Sequence, residues 1–269
     1  MSVQKKNAVE KPLAKSWSLY GIAVVTVLLT VWYTLKPMEA QPASVIEGLS
    51  FVALSGLCIP LFGMLARQFN FMSTEPGQIM LALTVGFVLW CIAETTWVVL
   101  ILMDQITVPS ISDVFWVGGY LPQIFALFMN TRAIRIKFRP GVLVLWIALS
   151  ILTVAAVILL DVAPLLMATP DFGTLVTIAY PLLDTIVIVL ALVIVLKFKA
   201  GQVAKPWAAL ILGFILTAVG DIWYLYADTM GQYAEAFNPV DYFLSLGYVV
   251  YILSGFLFIR LYRTQRVSS

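Results

Sequence analysis

Three carboxylates stand inside long apolar runs of this 269-residue chain: Glu94, Asp184 and Asp221. A carboxylate near the middle of a membrane-spanning helix costs roughly 2.5–3.5 kcal/mol on insertion scales, so each must face protein or water and have a partner. Asp113 and Asp241 open two further apolar runs. No lysine or arginine lies at the depth of the first three. They are therefore left to carry a proton, to accept hydrogen bonds from Tyr, Trp and Thr, or to meet an external cation. Aromatic residues accompany the acids at helical spacing. Trp97 follows Glu94 by three positions and Tyr224 follows Asp221 by three, so each pair shares a helix face. Trp116 and Tyr120 continue the face of Asp113, and Tyr248 continues that of Asp241. Tyr180 and Pro181 lie one turn before Asp184, where the proline predicts a kink and a freed carbonyl near the acid. These residues together predict an outward-facing polar and aromatic pocket that binds a small ligand or a cation.

The residue types that are missing narrow the chemistry. There is no histidine, which excludes imidazole metal ligands, histidine-ligated haem, and serine–histidine or cysteine–histidine nucleophile pairs. No lysine falls within a span, which excludes a retinal Schiff base. Cys58 and Cys91 read as small buried hydrophobes rather than a disulfide or metal pair. We assign no catalytic residue, no metal site and no cofactor, and expect no nucleic-acid partner. An intramembrane lipid enzyme would have to run on Asp and Glu alone.

The elements that position these acids are set by composition. Hydrophobic residues make up 62% of the chain and charged residues 11%, far from the balance of a soluble globular domain. About 20 apolar residues cross a bilayer as a helix, and the apolar runs at 17–35, 46–67, 77–103, 112–134, 140–162, 172–196, 206–229 and 239–262 predict eight transmembrane helices. The chain also repeats itself. Asp113-Val-Phe-Trp-Val-Gly-Gly-Tyr120 and Asp241-Tyr-Phe-Leu-Ser-Leu-Gly-Tyr248 both read D-x-F-x-x-x-G-Y. Arg132 and Arg135 recur as Arg260 and Arg263 at the same shift of 128, and Glu94 and Trp97 recur as Asp221 and Tyr224 at a shift of 127. The fold class expected is an all-α membrane protein of two parallel four-helix repeats: a basic N-terminal segment at 1–16, a first repeat at 17–137 and a second at 138–269.

Of the 16 basic residues only Lys36 falls on the side of the acids, which predicts that both termini are cytoplasmic. Residues 1–40 have some features of a signal peptide, but the apolar run is longer than a signal core and is needed as the counterpart of the fifth span. The basic start reads instead as a segment resting on anionic lipid headgroups.

Plainer roles compete with binding for the same residues. Ser110-Ile-Ser-Asp113 and Asn238-Pro-Val-Asp241 have the form of helix starts, so Asp113 and Asp241 could serve as caps. Glu94 and Asp221 could be polar contacts between helices. Asp184 has no acidic counterpart in the second span, around Leu57 to Pro60, which marks it as specialised. Trp17, Tyr20, Trp32 and Tyr33 read as interfacial anchors.

The run Glu94-x-x-Trp97, Pro109-Ser110-x-x-Asp113 and Gly119-Tyr120, continued by Tyr180-Pro181-Leu-Leu-Asp184, Gly220-Asp221 and Tyr233 before Asp241, resembles a multi-span prokaryotic membrane domain. That domain precedes diguanylate cyclase (GGDEF) and phosphodiesterase (EAL) modules in bacteria. The resemblance implies a sensory or ligand-binding module in a prokaryotic cytoplasmic membrane. This chain carries no cyclase, phosphodiesterase or kinase domain, so the signal is expected to pass to a separate cytoplasmic or membrane partner. Arg132, Arg135, Arg260 and Arg263 are the candidate contacts, and membrane lipids surround the rest. The alternative reading is a proton- or cation-coupled secondary transporter in which the acids carry the ion. The third is an intramembrane enzyme acting on lipid, and a scaffold subunit without a small ligand is the fourth.

Overall fold

The computed structural model describes residues 17–107, 109–133, 140–163, 172–197, 202–234 and 236–268. Among these the structure is helical, with no strand. The long helices are α1 (Trp17–Leu35), α2 (Ala40–Gln68), α3 (Glu75–Leu102), α4 (Ile111–Ala133), α5 (Pro140–Val157), α6 (Phe172–Lys197), α7 (Ala204–Thr229) and α8 (Pro239–Ser268). A short 3-10 turn, Phe71–Ser73, precedes α3, and α5 continues into a π-helical turn, Ile158–Val162.

Local chemistry explains where the helices start and stop. Thr74 accepts the Gly77 amide of α3 at 3.1 Å, with Pro76 in the first turn, where its missing N–H costs nothing. The same tolerance lets α2 begin at Ala40, six residues before the expected span, with Pro42 inside its first turn. α1 gives way at Lys36, whose φ of 46° lies in the left-handed region.

Six of the eight helices, α2, α3, α4, α6, α7 and α8, are long and apolar enough to cross a membrane, while Leu19–Leu35 of α1 and Leu143–Val157 of α5 are shorter apolar helices. Their outward faces carry large apolar side chains, among them Leu57, Val114, Leu121 and Leu182. An apolar surface this extensive belongs in lipid, and the chain is a multi-pass membrane protein. The same six helices form a closed ring: α2 packs on α3, α3 on α4, α4 on α6, α6 on α7, α7 on α8, and α8 returns to α2. α1 lies against α8, and α5 against α6.

The ring is tight because glycines let its helices touch. A Cβ on Gly119 of α4 would stand 2.4 Å from the Trp90 ring and 3.2 Å from the Gly86 carbonyl oxygen of α3. At Gly247 of α8 it would stand 2.7 Å from Thr217 Oγ1 and 3.4 Å from the Gly213 carbonyl oxygen of α7. Beside these crossings a layer of buried rings fills the middle of the bundle: Phe87, Trp90, Phe214 and Tyr251 are each 3% exposed or less. Tyr251 meets Phe87 and Phe214 at centroid distances of 5.1 Å, the edge-on geometry that aromatic pairs prefer.

This packing makes a local prediction. Gly119→Ala forces the Trp90 ring against α4 and is expected to destabilise the folded protein by about 1–3 kcal/mol. Gly118→Ala, whose Cβ would come no closer than 4.0 Å to Leu89, is expected to leave it unchanged. Thermal unfolding of the two variants in the same detergent checks this.

Candidate functional site

The ends of the helices build a cavity of about 260 Å³. Its walls come from the starts of α2, α4, α6 and α8 and the ends of α3 and α7, so it lies at one end of the ring. Six carboxyl groups line it: Glu47, Glu94, Asp113, Asp221, Asp228 and Asp241. Among the described residues no lysine or arginine does. Asp228 is exposed at the rim, and Trp90, Tyr120 and Tyr248 are buried at the floor.

All of these acids but the exposed Asp228 accept hydrogen bonds from neighbouring elements. Glu94, 8% exposed, accepts from the Trp116 indole at 3.2 Å and from the Tyr248 hydroxyl at 2.9 Å, both at Oε1. Tyr248 comes from α8, across the ring. Tyr120 of α4 crosses the other way, with its hydroxyl 2.8 Å from Asp221 Oδ2 of α7 and 2.7 Å from Asp184 Oδ1 of α6. A phenol has one proton to donate. The second of these contacts is a hydrogen bond only when a carboxyl group supplies a proton to the phenolic oxygen. Both contacts are hydrogen bonds when Asp184, Tyr120 and Asp221 share two protons among them. Asp184 is 1% exposed and lies behind Tyr120 rather than on the cavity wall.

Asp113 has both roles read in the sequence, cap and cavity wall, whereas Asp241 lines the wall without capping its helix. Asp113 reaches back to the Ser110 amide at 2.6 Å, while Ser110 Oγ accepts the Ser112 amide at 3.2 Å, the reciprocal pattern of a capping box. Its other oxygen accepts the Tyr180 hydroxyl of α6 at 2.6 Å. In α8 the cap is made by Asn238, which accepts the Val240 amide at 3.0 Å. Asp241 is left to accept from Tyr233 at 3.2 Å through either oxygen. Tyr233 lies in the α7–α8 connection, where burial first and then the nearby Asp241 push its phenol well above the ordinary value. It is a proton donor throughout the neutral range.

Trp97 and Tyr224 line the wall as rings. Trp97 meets Trp116 with centroids 5.6 Å apart, and Tyr224 meets Tyr233 at 4.7 Å. The cavity thus collects nine of the ten candidate ligand residues, all but Asp184, which is bonded to one of them.

Sequence reasoning passed over Glu47, Asp228 and Tyr233 as wall residues. Glu47 is the telling omission. It is 4% exposed and accepts from the Trp32 indole of α1 at 2.9 Å and from the Phe237 amide at 3.2 Å, tying α1 and the α7–α8 connection to α2. The signal was an acid two turns into an apolar helix, hidden because α2 starts earlier than its hydrophobic run. Two expected interfacial anchors have a different place. Trp32 is that donor, and Tyr33 is 9% exposed with its ring 5.6 Å from Tyr242, because α1 docks this end on α8. Tyr20 is 58% exposed.

Arg132, Arg260 and Arg263 are exposed on the last turns of α4 and α8, at the end of the bundle away from the cavity. Arg135 and the basic segment 1–16 lie outside the described residues. The thiols of Cys58 and Cys91 are free, and among the described residues no three His, Cys, Asp or Glu side chains are grouped to hold a metal ion. No protein-family model, curated protein or solved structure matches the chain.

The proton shared by the α4–α6–α7 chain is observable. Infrared difference spectroscopy at neutral pH is expected to show a protonated-carboxyl C=O band. Asp184→Asn or Tyr120→Phe should remove or shift it, and Asp104→Asn, outside the cavity, should not.

Proposed function

We propose that this chain is a ligand-binding membrane module of the sensory class, taking its ligand in the cavity at one end of the ring. The observation that carries this reading is the lining itself: six carboxyl groups and several aromatic rings converge on one cavity from six helices. Acids used only as contacts between helices have no need to share a space. The floor supports binding rather than passage. Trp90, Tyr120 and Tyr248 close it, and the Phe87–Tyr251–Phe214 layer lies beyond them.

In this reading the chain spans the membrane eight times as two parallel four-helix repeats, 17–137 and 138–269. α1, at 19 residues, is about 28 Å long at 1.5 Å per residue, close to the roughly 30 Å of hydrocarbon. The packing supports the repeat, since α2 on α8 and α4 on α6 are the two contacts a two-fold relation exchanges. The Gly86–Gly119 and Gly213–Gly247 crossings are likewise equivalent. So are the bonds of Tyr120 to Asp221 and of Tyr248 to Glu94. The cavity faces outward from a prokaryotic cytoplasmic membrane, both termini are cytoplasmic, and the basic end meets a signalling partner. The likeness to the membrane domains that precede GGDEF and EAL modules points the same way. A ligand signals only by binding one of two states better, and the rings and acids shared between halves give the ligand both halves to bias.

The second reading is a proton- or cation-coupled transporter. One feature favours it: Pro181 leaves the Thr177 carbonyl without its helical donor, and Thr177 lines the cavity two turns before Asp184.

Native mass spectrometry of the protein in detergent tests the leading reading. Wild type is expected to carry a bound mass that Glu94→Gln/Asp184→Asn/Asp221→Asn lacks, with both proteins folded. No bound mass in either, at equal thermal stability, would overturn it. Proteoliposome uptake driven by a proton or sodium gradient, and lost in the same variant, would move the assignment to a transporter.

A further inference from the structure

We infer that the ligand of this cavity is a small organic ammonium ion, an amine or quaternary amine, a step that rests on the ligand-binding reading above. Charge decides the sign. The lining has six carboxyl groups and, among the described residues, no basic side chain, so any charge the walls carry is negative, which disfavours an anion and favours a cation. The walls decide between an organic and an inorganic cation. Trp97 and Trp116 form one ring pair and Tyr224 and Tyr233 another, each beside an acid of its own half, Glu94 and Asp241 respectively. Aromatic faces beside carboxylates hold alkylammonium groups by cation–π attraction, which is strongest where water is excluded.

A bare metal ion fits less well. The lining acids are spread over five helices, and all but the exposed Asp228 are already acceptors for phenol, indole or amide donors. A small hard ion needs several oxygens converging on one point, and among the described residues no such group forms. An alkylammonium needs no such convergence, since its charge is spread over a larger surface. The cavity, about 260 Å³, lies just below the usual range for small-molecule pockets, roughly 300–1,000 Å³. That suits a compact ion rather than a lipid or a nucleotide.

Isothermal titration of the full-length protein in detergent tests this with choline, ethanolamine and 1,4-diaminobutane. The controls are 3,3-dimethyl-1-butanol, the uncharged carbon counterpart of choline, and sodium chloride at matched ionic strength. At least one ammonium ion is expected to bind saturably. If choline is that ion, the alcohol binds at least ten-fold more weakly. Glu94→Gln, which keeps an oxygen acceptor for Trp116 and Tyr248, and Trp97→Leu are each expected to weaken binding at least ten-fold, with melting temperatures confirming the fold. Equal binding of choline and the alcohol, or a response to sodium alone, would overturn the inference. If no ammonium ion binds but a neutral or anionic mass co-purifies and is lost in the triple carboxamide variant, the inference falls and the ligand-binding reading stands. If neither is seen, both fall.

Discussion

Carboxyl groups placed in an apolar bundle with no cation at their depth are the constraint on which this structure turns. Each costs a few kcal/mol unless its oxygens are satisfied, and the chain satisfies them with phenols and indoles brought from other helices. Tyr120 crosses from α4 to the acids of α6 and α7, and Tyr248 crosses from α8 to the acid of α3. The bonds of Tyr120 to Asp221 and of Tyr248 to Glu94 form only when the ring is closed. Polar groups that would oppose insertion one helix at a time thereby specify which helices become neighbours. Individually such bonds are modest, about 0.6 kcal/mol on average in a membrane. Their specificity lies in the number that must form together.

The glycine crossings set the scale on which this works. Where Gly86 faces Gly119 and Gly213 faces Gly247, the backbones approach closely enough to bring the tyrosine one residue further along, Tyr120 or Tyr248, within reach of an acid on another helix. Below that level, aromatic rings fill the bundle. Above it, the helices leave a cavity. One local motif, D-x-F-x-x-x-G-Y, thus supplies a cap or wall acid, a close-packing glycine and a cross-ring hydroxyl in a single stretch of α4 and again of α8.

Much of this was legible before any coordinates. The apolar runs overlap the eight long helices of the described residues, six of them long and apolar enough to cross a membrane, because in lipid a helix must satisfy its own backbone. The acids within those runs stood out for the same energetic reason, and helical spacing placed Trp97 with Glu94 and Tyr224 with Asp221. Spacing along one helix carries no information about the partner across the ring. The exchange of Tyr120 and Tyr248 between halves was therefore invisible, as was the position of Asp184 behind Tyr120. Glu47 was hidden by an early helix start, and Tyr33 by the docking of α1 on α8. Among the described residues six helices have the length and apolarity to span, while Leu19–Leu35 of α1 and Leu143–Val157 of α5 are shorter apolar helices lying against α8 and α6.

The central claim is that the tyrosine hydroxyls bind acids across the ring and hold its helices together, and a double-mutant cycle on Tyr248 and Glu94 tests it most directly. Reversible unfolding in mixed micelles would be measured for Tyr248→Phe, Glu94→Ala, the double variant and wild type. The account predicts a coupling of about 0.6–1.7 kcal/mol, the range of interhelical hydrogen bonds in membranes. Additive effects, within about 0.3 kcal/mol, would contradict it and leave the two residues as neighbours without a bond.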